Sequence, residues 1–318
     1  MRKLAIRCFP ILVVLALGAC AKNPVINIPP PPGPNFYTSD FGGNTINKWL
    51  TPLGPSSAPS LTLTAASLGV GQVNGIGADA SSNFYMVNES TATIYKFTST
   101  LTASSNISQA TAIGPPPGVG CILRFGFDPG NNLWAADACS NKLYQWSPPS
   151  GTTPTFTITA SVPAMSNPLQ PVFDNAGHMF VANFLINSLY VFAFPTATST
   201  PAVNANIATY GAPVDIAIDV QHRVFLSCAS DPGDIQVFTP PWATGNVPAF
   251  VVPSPFDHTP LHPPISGQAL RFDAAGNLYA SYTAPVPTIA VFAPPLSAAS
   301  VPLFTLSPFV ATSEAFAH

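Results

Sequence analysis

One motif recurs through most of this chain and leaves few folds open to it. Five segments align without gaps from an aspartate into the strand that follows. They begin at Asp79, Asp128, Asp174, Asp219 and Asp273, and run into Phe84-Tyr-Met-Val-Asn88, Leu133-Trp-Ala-Ala-Asp137, Met179-Phe-Val-Ala-Asn183, Val224-Phe-Leu-Ser-Cys228 and Leu278-Tyr-Ala-Ser-Tyr282. Each is followed by a second short apolar run, such as Ile94-Tyr-Lys-Phe97 or Ile289-Ala-Val-Phe292. The aspartates lie 49, 46, 45 and 54 residues apart. A period near that length, with several short strands per unit, marks a β-propeller rather than a sandwich or a helical array.

The local chemistry agrees. Each unit reads as an apolar strand, a tight turn opened by Asp, and a second strand; an Asp side chain caps such turns. The third residue after each Asp is Ser82, Asn131, Gly177, His222 or Gly276. Gly, Asn and His are enriched at the positive φ that a tight hairpin turn requires, and Ser82 is the weakest member of that set. A sixth, incomplete unit opens the domain: Phe36-Tyr-Thr-Ser-Asp40 matches Phe84 to Asn88, and Ile46-Asn-Lys-Trp49 matches Ile94 to Phe97. It lacks an innermost strand. The tail Thr312-Ser-Glu-Ala-Phe316 resembles the missing piece, so the expected fold is all-β. It is a six-bladed propeller of four-stranded blades whose ring the C-terminal strand closes.

The repeat resembles the NHL-type propeller repeat, from Phe36 to Phe316. The chain's propeller is also similar to those of the gluconolactonase and virginiamycin B lyase families. The first resemblance implies a divalent cation at the channel mouth, held by a Glu, Asn residues and an Asp. Asp215, Asn74 and Asn183 answer to that set, with Glu314 the one available glutamate, while Arg124 adds charge that opposes a cation. The second implies a catalytic His with acidic metal ligands, and no His falls at a strand entry here.

The N-terminus reads as an export signal over 1–19. Arg2, Lys3 and Arg7 precede an apolar run from Cys8 to Ala19 that is too short to span a bilayer. Its end, Leu17-Gly18-Ala19-Cys20, resembles the bacterial lipobox, which implies that Cys20 is acylated and becomes the new N-terminus. Residues 20–34 then form a tether, stiffened by the proline run Pro29 to Pro32, before a propeller domain at 35–318. The expected location is the bacterial cell envelope, periplasmic or on the cell surface, with the bilayer as partner through Cys20. Losing the signal leaves seven of the ten basic residues against thirteen acidic ones, a net charge near −6. That excludes a nucleic-acid footprint. Charged residues are only 7% of the chain and hydrophobic ones 47%, which opposes disorder.

Cys121 and Cys139 are equidistant from Gly130 on a hairpin, and an exported chain favours their oxidation; two small apolar thiols are the alternative. Cys228 reads as a buried thiol.

If the Asp turns lie at the bottom of the ring, the entries to the innermost strands and the exits from the second strands lie at the top. The entries offer Asn74, Arg124, Gln170, Asp215 and Gln268; the exits offer Asp40, Asn88, Asp137, Asn183, Cys228 and Tyr282. These form the candidate ligand ring. Arg124 and Asp215 build either a polar pocket for a small ligand or metal, or a pair that satisfies backbone within the channel. The Asx exits equally fit turn caps. Asp257, His258 and His262, with the Asp231 to Asp234 loop nearby, sit in a proline-rich linker that reads as solvated loop. His178 and His222 fall in bottom turns, and Trp242 sits in an outer turn as packing or as a binding patch. No nucleophile elbow, P-loop, dinucleotide fingerprint or zinc-protease motif is present. The favoured function is a ligand- or protein-binding module for an envelope protein or glycan, with no cofactor, no metal site and no catalytic residue assigned. A metal-dependent lactonase-like hydrolase or a lyase is the alternative.

Overall fold

The computed structural model describes residues 34–317, apart from 160–163, 195–202, 230–232, 257–266, 284–285, 308 and 310. The export signal, Cys20, most of the tether, Asp231, Asp257, His258 and His262 lie outside the described residues. The described residues belong to one compact unit, Gly33–His318. Among them, no helix is long and apolar enough to cross a membrane.

Six four-stranded antiparallel sheets form the blades of a β-propeller. In blades two to six the innermost strands are Val73–Ala78, Ile122–Phe127, Pro168–Phe173, Pro213–Ile218 and Gly267–Phe272. In blade one that place is taken by the C-terminal strand Ser313–Ala317, which pairs with Asn35–Asp40 through Phe36↔Phe316, Tyr37↔Ala315 and Thr38↔Glu314. The ring therefore closes between the first and last strands of the domain, as the sequence match predicted. Closure satisfies the backbone edge that Asn35–Asp40 would otherwise expose.

The Asp turns repeat in atomic detail. Asp79 Oδ1 accepts the backbone N–H groups of Ser81 and Asn83, both at 2.9 Å, and its Oδ2 accepts the Asn83 amide at 2.7 Å. Asp174, Asp219 and Asp273 hold the amides two and four residues on in the same way, and Asp128 holds the amide of Asn132. The fourth residue's side chain closes the motif: Asn132, His178, Arg223 and Asn277 each reach the Oδ2 of their own Asp. Ser82, Asn131, Gly177, His222 and Gly276 all have positive φ, so even the serine adopts the left-handed turn.

Side chains between neighbouring blades make the core. One cluster joins blades two and three through Tyr85, Val87, Phe125 and Trp146; another joins blades five and six through Phe225, Leu270 and Tyr282. Each fully buried aliphatic or aromatic side chain contributes about 1.5–3 kcal/mol of burial, so the blade faces hold the ring together. Toward the axis the strands crowd: a Cβ on Gly75 would lie 2.6 Å from the Leu123 carbonyl oxygen, so that position must stay glycine. Cys121 and Cys139 form a disulfide across the blade-three hairpin with Cα atoms 5.4 Å apart. Cys228 is a buried free thiol, pushed by burial up to about 12. Trp242 is half-buried and packs edge-on against Phe180, with ring centroids 5.0 Å apart.

Candidate functional site

The innermost strands of blades two to six each carry a register irregularity near their entry, at Val73/Ile76, Ile122/Phe125, Pro168/Pro171, Pro213/Asp215 and Gly267/Leu270. A bulge re-aims side chains and frees them from the strand alternation. Here the re-aimed residues build a cavity of about 330 Å³ at the channel mouth, lined by Asn74, Leu123, Arg124, Leu169, Val214 and Gln268 from the five bulged entries. Thr312, just before the closing strand, completes the inner ring.

The rim comes from residues one place past the second-strand exits: Phe41, Glu89 and Phe184. The expected exit residues themselves turn inward as caps. Asn183 is fully buried and accepts the Ser166 amide at 3.2 Å, and Asn88 accepts the Gln72 amide at 3.4 Å. Asp137 accepts the Cys139 amide at 3.1 Å and the Ser140 hydroxyl. Asp40 folds its carboxylate over Gly43 of its own turn. Cys228 and Tyr282 are buried. Among the described residues, Cys121, Asp137 and Cys139 are the one grouping of three side chains spaced to hold a metal ion, and two of them are joined in the disulfide.

Arg124 forms the floor and meets Asp215 beneath it, with Arg124 Nη1 3.5 Å from Asp215 Oδ1. Nη1 also donates to the Val214 carbonyl at 2.7 Å and the Gln268 carbonyl at 3.5 Å, and Nη2 donates to the Thr312 carbonyl at 2.5 Å. One side chain of blade three thus binds main chain at the entries of blades five, six and one. Burial lowers the Arg124 pKa, and Asp215 works against that shift; a guanidinium keeps its proton in either case. Asp215 Oδ1 accepts the Ile216 amide and Oδ2 the Leu270 amide, both at 2.9 Å. Both carboxylate oxygens are therefore committed.

Gln170 lies elsewhere. It lines a smaller cavity of about 180 Å³ toward the Asp-turn end, with Arg271, Ala315 and Phe316. Glu89 is the pocket residue that the strand-exit reasoning overlooked. Its Oε2 accepts the Asn74 amide at 2.7 Å, and its position directly after the Asn88 exit was the available signal.

Glu314 does not line the mouth. Strand register places it level with Ile76, Phe125, Pro171, Ile216 and Leu270, the apolar residues of the other five blades. It is fully buried and neither carboxyl oxygen has a hydrogen-bond partner. Burial pushes its pKa well above the ordinary carboxylate range; Arg271 and Arg124 pull it down, while Asp215 adds to the rise. Tyr279 and Tyr282 of blade six feel its charge and are themselves raised, chiefly by burial.

By sequence, the chain matches no family model and no curated protein. By structure it is similar to propeller proteins. A protein of unknown function from Bacteroides caccae superposes with a TM-score of 0.63 at 10% identity, covering 90% of this chain and 99% of that one. A chain of a nidogen/laminin complex gives 0.61 at 12% identity, covering 90% and 99%. A Bacteroides uniformis protein provisionally described as a 6-phosphogluconolactonase gives 0.57 at 13% identity, covering 86% and 83%. These likenesses show the fold alone.

Two outcomes follow from this geometry. Arg124→Ala strands the buried Asp215 carboxylate and three carbonyls, so it is expected to cost about 3–5 kcal/mol in urea unfolding, with partial recovery in Arg124→Ala/Asp215→Asn. An unchanged midpoint would show that the pair does not hold the ring. The second outcome concerns Glu314, whose folded pKa is raised, so its contribution is complete below the unfolded value near 4.5 and lost as pH rises through the folded value. Each unit of elevation costs about 1.4 kcal/mol above that range. The wild-type melting temperature should therefore fall as pH climbs above 4.5, and Glu314→Gln should flatten the fall; parallel curves for the two proteins would refute it.

Proposed function

We propose that this chain is an exported, lipid-anchored NHL-type β-propeller of the bacterial cell envelope that acts as a binding module, with the mouth cavity as its ligand site. The leader and the Leu17-Gly18-Ala19-Cys20 segment support the anchor at Cys20, since a diacylglyceryl cysteine with an amide-linked chain supplies the several acyl chains that stable anchoring needs. The Pro29 to Pro32 run supports a spacer that carries the ring clear of the bilayer.

The observation that carries the binding reading is how the polar groups at the floor are used. Arg124 and Asp215 satisfy each other and the backbone of three blades, so they shape the pocket without offering a nucleophile or a base. The cation site implied by the gluconolactonase resemblance does not fit these residues. Asp215 has both oxygens occupied, Glu314 is sealed in the seam, and a guanidinium faces the place a cation would take. Glu89 is the one carboxylate lining the cavity. No catalytic step is assigned.

Elemental analysis and native mass spectrometry of the full chain in detergent check this reading. Less than a stoichiometric divalent ion is expected. An ion held at one per chain and lost in Glu89→Ala would move the function to the hydrolase alternative. Growth with labelled palmitate should mark the wild-type chain and not Cys20→Ser; label on the variant would remove the anchor.

A further inference from the structure

The mouth cavity selects by charge, by hydrogen-bond type and by shape. Arg124 at its floor disfavours a cation, while Asp215 beneath it and Glu89 at its rim disfavour an anion, so the electrostatics favour a neutral guest. Three of its six polar lining residues, Asn74, Asn167 and Gln268, carry side-chain amides. Asn74 and Glu89 are bonded to each other at 2.7 Å through Nδ2 and Oε2, which leaves the amide oxygen and Oε1 as further acceptors. Amides both donate and accept, and so match a group that does the same, which a hydroxyl does.

Apolar surface supplies the rest. Phe41, which is 37% exposed, and the half-buried Phe184 stand at the rim from blades one and four, and Leu169 and Val214 form wall below them. A guest must therefore carry hydroxyl edges and C–H faces together. A volume of about 330 Å³ is at the small end of ligand pockets and takes one or two six-membered rings. Because the cavity is a pit about the ring axis, built from entries of six blades, it favours a compact unit over an extended strand.

Resting on the binding reading above, we infer that the mouth cavity of this propeller recognises a neutral saccharide unit. The sugar's vicinal hydroxyls meet the Asn74–Glu89 pair, and its C–H face lies against Phe184.

Saturation-transfer NMR on the full chain in detergent tests this, using the methyl glycosides of glucose, galactose, mannose and N-acetylglucosamine, with gluconate and hexa-alanine alongside. At least one glycoside is expected to bind. Its affinity should fall at least tenfold in Asn74→Ala on the wall and in Phe184→Ala at the rim, with the melting temperature of both variants in place. If only gluconate or the peptide binds, and does so through these two residues, the saccharide assignment is overturned while the cavity remains a binding site. If no probe binds in a way that either substitution weakens, the binding reading fails as well.

Discussion

The structure turns on one buried cation. Arg124 reaches from blade three across the axis to the entries of blades five, six and one, and its charge is balanced by Asp215. A propeller blade buries its faces against two neighbours and has no contact with the blades opposite. Interblade packing alone therefore fixes each neighbour pair and leaves the width of the channel to accumulate error around the ring. A guanidinium, planar and with five donors in fixed directions, sets distances across the axis that the apolar interfaces do not. Breaking such a pair strands a charge in the interior, so the pair enforces one geometry whatever its net contribution to stability. The same residue is the floor of the mouth cavity, and this couples closure of the ring to the shape of the site.

Bulges are the second half of that coupling. A regular innermost strand would alternate its side chains between the two neighbouring blade faces and leave the channel lined by backbone. The five irregular entries break the alternation where the strand meets the mouth, and Asn74, Arg124, Leu169, Val214 and Gln268 turn to the axis there. Below the bulges the strands return to register, and the core positions Ile76, Phe125, Ile216 and Leu270 are apolar and buried. The irregularity is thus confined to the end of each blade that carries the site.

The sequence showed the parts of the fold that repeat. The Asp turns, the positive-φ positions and the C-terminal closure were legible because each is a local pattern copied through the chain, and averaging over copies exposes it. The disulfide was legible from symmetry about Gly130. The site was only half legible. Entry residues were placed at the mouth, but Gln170 lies toward the opposite end and Asp215 lies beneath the floor, because a bulge changes which neighbour faces the axis and leaves no mark in composition. The exit residues were read one place early: a side chain still paired within the sheet turns into it as a cap, and the next one is free to face the cavity. Asn88 and Glu89 show both halves of that rule.

Glu314 shows why the seam between blades six and one differs from the other interfaces. Its cross-strand partner is Thr38, where the other blades have Met86, Ala135, Val181, Leu226 and Ala280, so polarity enters this interface from both strands. In the closing strand Ala317 stands at the place where the other innermost strands run into their turn Asp, as Asp79 does after Val73–Ala78. The joint between the two ends of the domain therefore combines the weakest local turn chemistry with the least apolar packing position. Arg124 compensates at this joint, because its bond to the Thr312 carbonyl grips the chain immediately before the closing strand. The residue that shapes the floor of the site is in this way also the one that holds the end of the ring in place.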